Sequence, residues 1–309
     1  MTPTHKYCDS HAIAFQSTAG QNCTNAKERC SMNEALSLNA GAIDRHKQDN
    51  QMARIFITGS SDGLGQMAAK LLVAQGHQVV LHARNKARAE YALGQLPGAR
   101  SVPDADLSSI EETKALAYRS NDMGHFDAVI HNAAAGFQEP GRIATVDGLP
   151  HVLAVNSLAP YILTALINVP KRLIYISSRL HLDGDPSLTD LAWETRLWNG
   201  MQACSDPKLH VVLLAFAAAR RWPEVLSNCI EPGWVVTKMG GANAPDDLDL
   251  ACHTQAWPAA GVSPARRVAG DDVYHQTSAE AMRAAFEPTL QDRFMKRCAR
   301  FSGVALPAH

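Results

Sequence analysis

The chain is 309 residues long, 46% hydrophobic and 19% charged, with a formal net charge of −1 and a pI near 6.9. That profile fits a globule with a substantial core, built as one large domain or two small ones. With no basic excess to meet phosphates, it argues against nucleic-acid or membrane-surface partners, and no apolar run approaches the ~20 residues of a membrane span.

Residues 1–51 are rich in Asn, Gln, Ser, Thr and His and show no sustained period apart from a faint helical patch near Met32 to Ile43. They read as a mostly disordered extension. No apolar core flanked by basic residues marks a secretory signal there. Met52 then opens MARIFITGSS, which reads as the start of a folded domain.

From that point short apolar runs alternate with helical patterns. The runs are RIFIT (54–58), QVVLHA (78–83), FDAVIH (126–131), KRLIYIS (171–177) and VLSNCI (225–230). Helical patterns cover Leu64–Gln75, Lys86–Gln95, Ser109–Arg119, Leu149–Asn168 and Leu209–Arg221. Continuous Val/Ile/Leu runs are strands buried on both faces, and their alternation with helices implies a parallel sheet with right-handed crossovers. The expected architecture is a doubly wound α/β domain.

The first strand ends in TGSSDGLG, with glycines at 59, 63 and 65. Glycines so placed allow a tight turn and a close approach of backbone to a pyrophosphate at a helix N-terminus. The motif lies between a strand and a helix, the context it requires. The second strand ends in His82-Ala83-Arg84, followed by Lys86 and Arg88. An acid there would bind the ribose hydroxyls of NAD, whereas cations suit the 2′-phosphate of NADP. NADP is therefore expected over NAD.

With these motifs in view, the sequence from residue 52 to 306 resembles the short-chain dehydrogenase/reductase family, and ISSRLH and PGWVVTKM are most similar to its retinol-dehydrogenase-like branch. The resemblance implies a single Rossmann domain with a mostly parallel seven-stranded sheet. It assigns cofactor contacts to Gly59, Ser61, Gly63, Leu64, Gly65 and Arg84, to the Asp106-Leu107 pair, and to Asn132 in His131-Asn132-Ala133-Ala134. Pro232, Gly233 and Thr237 would close over the nicotinamide. His131 and Ala134 depart from the family's NNAG.

The family's catalytic set is Asn, Ser, Tyr and Lys, the last two spaced YxxxK. Asn156, Ser178 and Lys208 match it, but position 204 is Cys. The i, i+4 spacing puts both side chains on one helix face, where the lysine charge makes the phenol a usable acid–base. No other tyrosine rescues the pattern: Tyr175 lies in a strand and Tyr161 on the helix of Asn156. A thiol is intrinsically more acidic than a phenol, and Lys208 is expected to lower it further. Reach is the obstacle. The sulfur stands roughly 3 Å from Cα against roughly 6.5 Å for a phenol oxygen, and direct proton transfer needs contact at about 2.6–3.2 Å. Losing a general acid costs ~10²–10⁴-fold, so attenuation is expected rather than inactivity.

Pro207 is a second departure. With Ser205 or Asp206 as N-cap and Pro207 near N1, the helix would start without strain, leaving Cys204 just outside it.

Three readings follow: an attenuated NADP-dependent oxidoreductase acting on a carbonyl or alcohol, a non-catalytic NADP(H)-binding sensor or partner subunit, and a lysine-activated redox thiol. The segment 182–203, with Trp193 and Trp198, should form a substrate loop, and Trp234 should flank the cleft; core packing explains these aromatics equally well. The seven cysteines, at 8, 23, 30, 204, 229, 252 and 298 and never at CxxC spacing, fit a reducing cytoplasm. The thirteen histidines lack HxxxH or HxH spacing, so no metal is expected. A small-molecule substrate is the expected partner, and the resemblance implies a homodimer or homotetramer built on the helices of Asn156 and Lys208.

Overall fold

Alternation within each strand sends side chains to opposite faces of the sheet. In β1 (Arg54–Ile57), Phe56 enters one apolar cluster while Ile55 and Ile57 enter the other, and all three are fully buried. The computed structural model describes residues 52–101, 104–136, 139–260, 270, 272–274 and 277–308. The expected N-terminal extension lies outside the described residues.

The other strands are β2 (Gln78–Leu81), β3 (Arg100–Ser101), β4 (Ala128–His131), β5 (Arg172–Ile176), β6 (Leu226–Glu231), β7 (Asp272–Tyr274) and β8 (Thr277–Ala279). They form one sheet in the order β3-β2-β1-β4-β5-β6-β7-β8. β1 through β7 pair in parallel, with Phe56 opposite both Val80 and Val129. The expected parallel seven-stranded sheet is present. The addition is β8, a short antiparallel edge strand whose Ser278 faces Val273.

Helices α1 (Gly63–Ala74), α2 (Lys86–Gln95) and α7 (Leu248–Ala256) cover the face of Ile55 and Ile57. The Phe56 face carries α3 (Ile110–Asp122), α4 (His151–Leu153), α5 (Ala159–Leu166), α6 (Gly200–Arg221) and α8 (Pro288–Ser302). Strand order reverses between β1 and β4, the place where doubly wound sheets open a ligand crevice beyond the strand ends.

Two helices differ from expectation. The pattern read as one helix over Leu149–Asn168 is α4, a π turn at Ala154–Leu158, and α5. The residue four on from Asn156 is Pro160, which has no N–H for the Asn156 carbonyl, and the Ala159 N–H reaches back to the Ala154 oxygen instead. The second correction is α6. It begins at Gly200, capped by Asn199, whose side chain accepts from the Gln202 N–H at 3.0 Å, and it carries Pro207 in its interior. Cys204 therefore lies inside the helix, not before it.

α8 packs across α5 and α6. Tyr161 Oη donates to the Val304 carbonyl at 2.9 Å, His210 stacks on Phe294, and Arg220 Nε donates to Gln291 Oε1 at 3.0 Å.

Candidate active site

The glycine turn is shaped by backbone approach. Gly59 and Gly63 have φ of +61° and +56°, the left-handed region that favours glycine. A Cβ on Gly59 would stand 2.8 Å from Ala133 Cα, and one on Gly65 only 2.3 Å from Asn132 Nδ2. Asn132 pins the turn: its Nδ2 donates to the carbonyls of Thr58 and Gly59 at 2.9 and 3.0 Å. The N–H groups of Asn132 and Ala133 both donate to Thr58 Oγ1 at 3.0 Å, and Gln255 Nε2 donates to Asn132 Oδ1 at 2.8 Å.

His82 is an anchor the sequence reading did not identify. The Gly59 N–H donates to its Nδ1 at 3.0 Å, which leaves Nε2–H to donate to the Ala105 carbonyl at 3.1 Å. Burial pushes its pKa down to about 4, so the ring stays neutral.

This turn fits a dinucleotide-binding motif, since Gly59 and Gly65 permit the tight turn and the close packing against Asn132 and Ala133 that the motif requires. Beside it, Arg88 Nε donates to Ser61 Oγ at 3.2 Å and its Nη2 pairs with Asp62 at 2.7 Å. Lys238 pairs with the same carboxylate at 2.8 Å, tying the segment after Thr237 to the glycine turn. Arg84 is exposed at the end of β2, and Leu64 lies in the first turn of α1. Asp106 accepts from the Ser108 N–H at 3.0 Å, and Leu107 is buried. On the opposite wall Gly233 has φ +85°, and a Cβ there would meet Asp246 Oδ2 at 2.6 Å. Thr237 Oγ1 accepts from the Gly240 N–H at 3.0 Å, and Pro232 lies between buried Glu231 and this turn.

Each catalytic candidate is held by its own partners near the ends of β4 and β5. Asn156, in the π turn, donates Nδ2 to the Ala135 carbonyl and accepts from the Ala135 N–H, both at 2.8 Å. Ser178 follows β5, and its Oγ accepts from the Leu180 N–H at 3.3 Å. Lys208 Nζ donates to the Ile176 carbonyl at 3.0 Å, while Ser177 Oγ donates to the Lys208 carbonyl at 3.0 Å. Burial pushes the lysine pKa down to about 8. Cys204 lies one turn before Lys208 on the same helix, so the two side chains leave the same helix face.

The lowering of the thiol pKa expected from Lys208 is outweighed by burial. Burial pushes its pKa above the ordinary value; Lys208 pulls it down, Glu139 pushes it up again, and the net direction is up. Sγ donates to the Gly136 carbonyl at 3.4 Å.

Glu139 and His151 are the neighbours that sequence reasoning missed. His151 Nδ1 lies 2.5 Å from Glu139 Oε1. Twelve residues separate them, with no spacing signal. His131, by contrast, is a core residue stacked on Tyr175 at 4.7 Å, with its Nε2 3.2 Å from Thr164 Oγ1.

The expected substrate loop is fastened to α6. Asp206 is buried, paired with Arg196 at 2.6 Å, and accepts from Gln202 Nε2 at 2.6 Å and the Asp185 N–H at 3.0 Å. Trp193 packs with Val152 and Ala203 under the Arg196 guanidinium, so it is a core residue. Trp198 Nε1 donates to the Glu139 carbonyl at 3.2 Å. Trp234 is exposed beside Gly233, with its Nε1 donating to the Gly240 carbonyl. A cavity of about 290 Å³ between Asp190–Glu194 and Arg297–Phe301 is lined by none of the four catalytic candidates.

A doubly wound sheet with a glycine turn at its switch point is an arrangement in which dinucleotides are bound. Residues 53–171 match the short chain dehydrogenase family model. An uncharacterized oxidoreductase of Emericella nidulans is 45% identical over 260 residues, covering 83% of this chain and 99% of that one. Human retinol dehydrogenase 14 is 32% identical over 213 residues, 60% of this chain and 62% of its own. Among solved structures, an uncharacterised protein from Mycobacterium paratuberculosis superposes with a TM-score of 0.70 at 21% identity, covering 82% of this chain and 95% of that one. The chain belongs to the short-chain dehydrogenase/reductase family of oxidoreductases. Among the described residues no helix is long and apolar enough to cross a membrane.

Proposed function

We propose that the chain is an NADP(H)-dependent oxidoreductase interconverting a carbonyl and an alcohol on a small, apolar substrate, at a rate lowered by the cysteine at position 204. The observation that carries this reading is the retained scaffold: Cys204 keeps its register with Lys208, and Asn156, Ser177 and Lys208 keep their backbone partners. When bound, the dihydronicotinamide supplies the hydride. Gly59, Gly63 and Gly65 would let the tight turn approach the pyrophosphate, and Asn132 fixes the shape of that turn. Arg84, Lys86 and Arg88 provide the positive charge that favours a 2′-phosphate. Ser178 Oγ would hold the substrate oxygen, and Lys208, desolvated beneath the site, would bind the cofactor ribose.

NADPH oxidation with a panel of apolar aldehydes and ketones tests this reading, comparing the natural chain with Cys204→Tyr. Slow turnover by the natural chain is expected, with a gain of at least ~10-fold on restoring the phenol. NADPH binding without turnover in the natural chain, together with turnover in Cys204→Tyr, would make the protein a cofactor binder. No NADPH binding at all would end both accounts.

A further inference from the structure

The shortfall in reach at Cys204 leaves the substrate oxygen without a proton donor, and the structure places another acid beside the thiol. Glu139 and Cys204 both pack against Gly136. Sγ donates to the Gly136 carbonyl at 3.4 Å, and a Cβ on Gly136 would stand 3.2 Å from Glu139 Oε1. The backbone of Glu139 is fastened over the first turn of α6. Trp198 Nε1 donates to its carbonyl at 3.2 Å, and a Cβ on Gly200 would come within 3.2 Å of that same oxygen. Gly200 precedes Cys204 by one helical turn, so the Glu139 backbone is held on the side of α6 that carries the thiol.

The two oxygens of Glu139 differ. Oε1 lies 2.5 Å from His151 Nδ1, whereas Oε2 is buried and makes no hydrogen bond. A buried oxygen without a partner is costly unless a ligand or water completes it. The side chain of Glu139 is 11% exposed and that of His151 25%. The imidazole thus connects a nearly buried acid to solvent.

We propose that the Glu139–His151 pair is the proton donor of this enzyme, doing from the 139 loop what a phenol at position 204 would otherwise do. The step rests on the carbonyl-reductase reading above. The carbonyl carbon takes the hydride of NADPH, which leaves as NADP⁺. The C=O π pair moves onto oxygen, and the proton held between Glu139 and His151 forms the new O–H bond. The pair is left as carboxylate and neutral imidazole, and the solvent edge of His151 takes up the next proton. Run backwards, the same pair accepts the alcohol proton.

The experiment is steady-state NADPH oxidation with 4-nitrobenzaldehyde by the natural chain, Glu139→Ala, and Glu139→Ala within Cys204→Tyr. The Glu139→Ala change should lower kcat about 10²-fold, with NADPH affinity and KM nearly unchanged. Added formate buffer, whose formic acid form carries the proton, should restore part of the lost rate, increasingly as the pH is lowered, a response that loss of a merely structural contact would not give. In the Cys204→Tyr background the same change should cost less than about twofold, because the phenol then supplies the proton. An unchanged kcat in Glu139→Ala overturns the proposal, as does a loss that formate leaves untouched while NADPH still binds. If the natural chain itself never oxidises NADPH with aldehyde, the carbonyl-reductase reading falls and this step falls with it. A normal natural rate insensitive to Glu139 sinks the proton donor alone.

Discussion

The glycine turn and the first two turns of α6 face the same crevice, yet they differ in what holds them to the family pattern. In the glycine turn the constraint is steric. Gly59 and Gly65 sit so close to Ala133 and Asn132 that any Cβ collides, and the turn is tied into β4 by bonds from Asn132 and Ala133 to Thr58. At the start of α6 the constraint is chemical. A cysteine and an interior proline are accommodated with the helix intact and Lys208 still in place. Packing therefore leaves the glycine turn no room for substitution, while the start of α6 tolerates unusual residues without losing its shape.

The sharpest break of that comparison is Gly65→Val. Its Cβ would stand 2.3 Å from Asn132 Nδ2 and 2.7 Å from the Gly59 carbonyl. Something must shift, and overpacking of this kind costs ~1–3 kcal/mol before any ligand is considered. A loss of NADPH affinity of at least ~10²-fold is expected, because the displaced groups shape the cradle itself. Calorimetric titration reads it, and near-natural affinity would mean that the turn yields where its contacts say it cannot.

Second comes the fastening of the substrate loop to α6. Asp206 is buried and holds Arg196, Gln202 and the Asp185 N–H together. Removing one partner of a buried pair strands the other charge, at about 3 kcal/mol. Asp206→Ala should lower the unfolding free energy in urea by roughly that amount. A loss below about 1 kcal/mol would show that solvent already screens the pair.

What the sequence reveals follows the same division. The strands of the central sheet and the glycine turn were legible because continuous apolar runs and fixed spacings are local signals. The start of α6 was not. Pro207 reads as a first-turn residue, and only the capping of Gln202 by Asn199 places the start at Gly200. Leu290, Phe294 and Cys298 do carry a helical apolar period for α8, though what they cover, Tyr161 and His210, is set by tertiary contact. Glu139 and His151 meet through a loop and a helix start, so no periodicity could pair them.

Pro207 gives a smaller effect of opposite sign. An interior proline costs ~3 kcal/mol relative to alanine through the lost N–H and the clash with the preceding turn. Losing the buried ring contacts and relaxing the unfolded chain take back part of that gain. Pro207→Ala should therefore stabilise the protein by only about 1 kcal/mol, seen as a higher urea midpoint. A fall would mean that the ring is worth more to the core than the hydrogen bond is to the helix.

The least effect is expected at Glu231, where the binding wall meets the buried edge of β7. Burial, with Asp272 and Asp246 nearby, raises this carboxyl to about 7, against the opposing pull of Arg179. The native state then binds more protons than the unfolded chain between about 4.5 and 7. Stability must fall as pH rises through that window, since an ionised Glu231 is penalised only when folded. Glu231→Gln removes the ionisation and should raise Tm at pH 8 by about 2–4 °C, an effect near 1 kcal/mol for a chain of this size. Below pH 5, where the native carboxyl is already protonated, the two proteins should melt together. An equal difference at both pH values would place the gain in packing rather than charge. No difference at pH 8 would mean that Arg179 already neutralises the carboxylate in the folded protein.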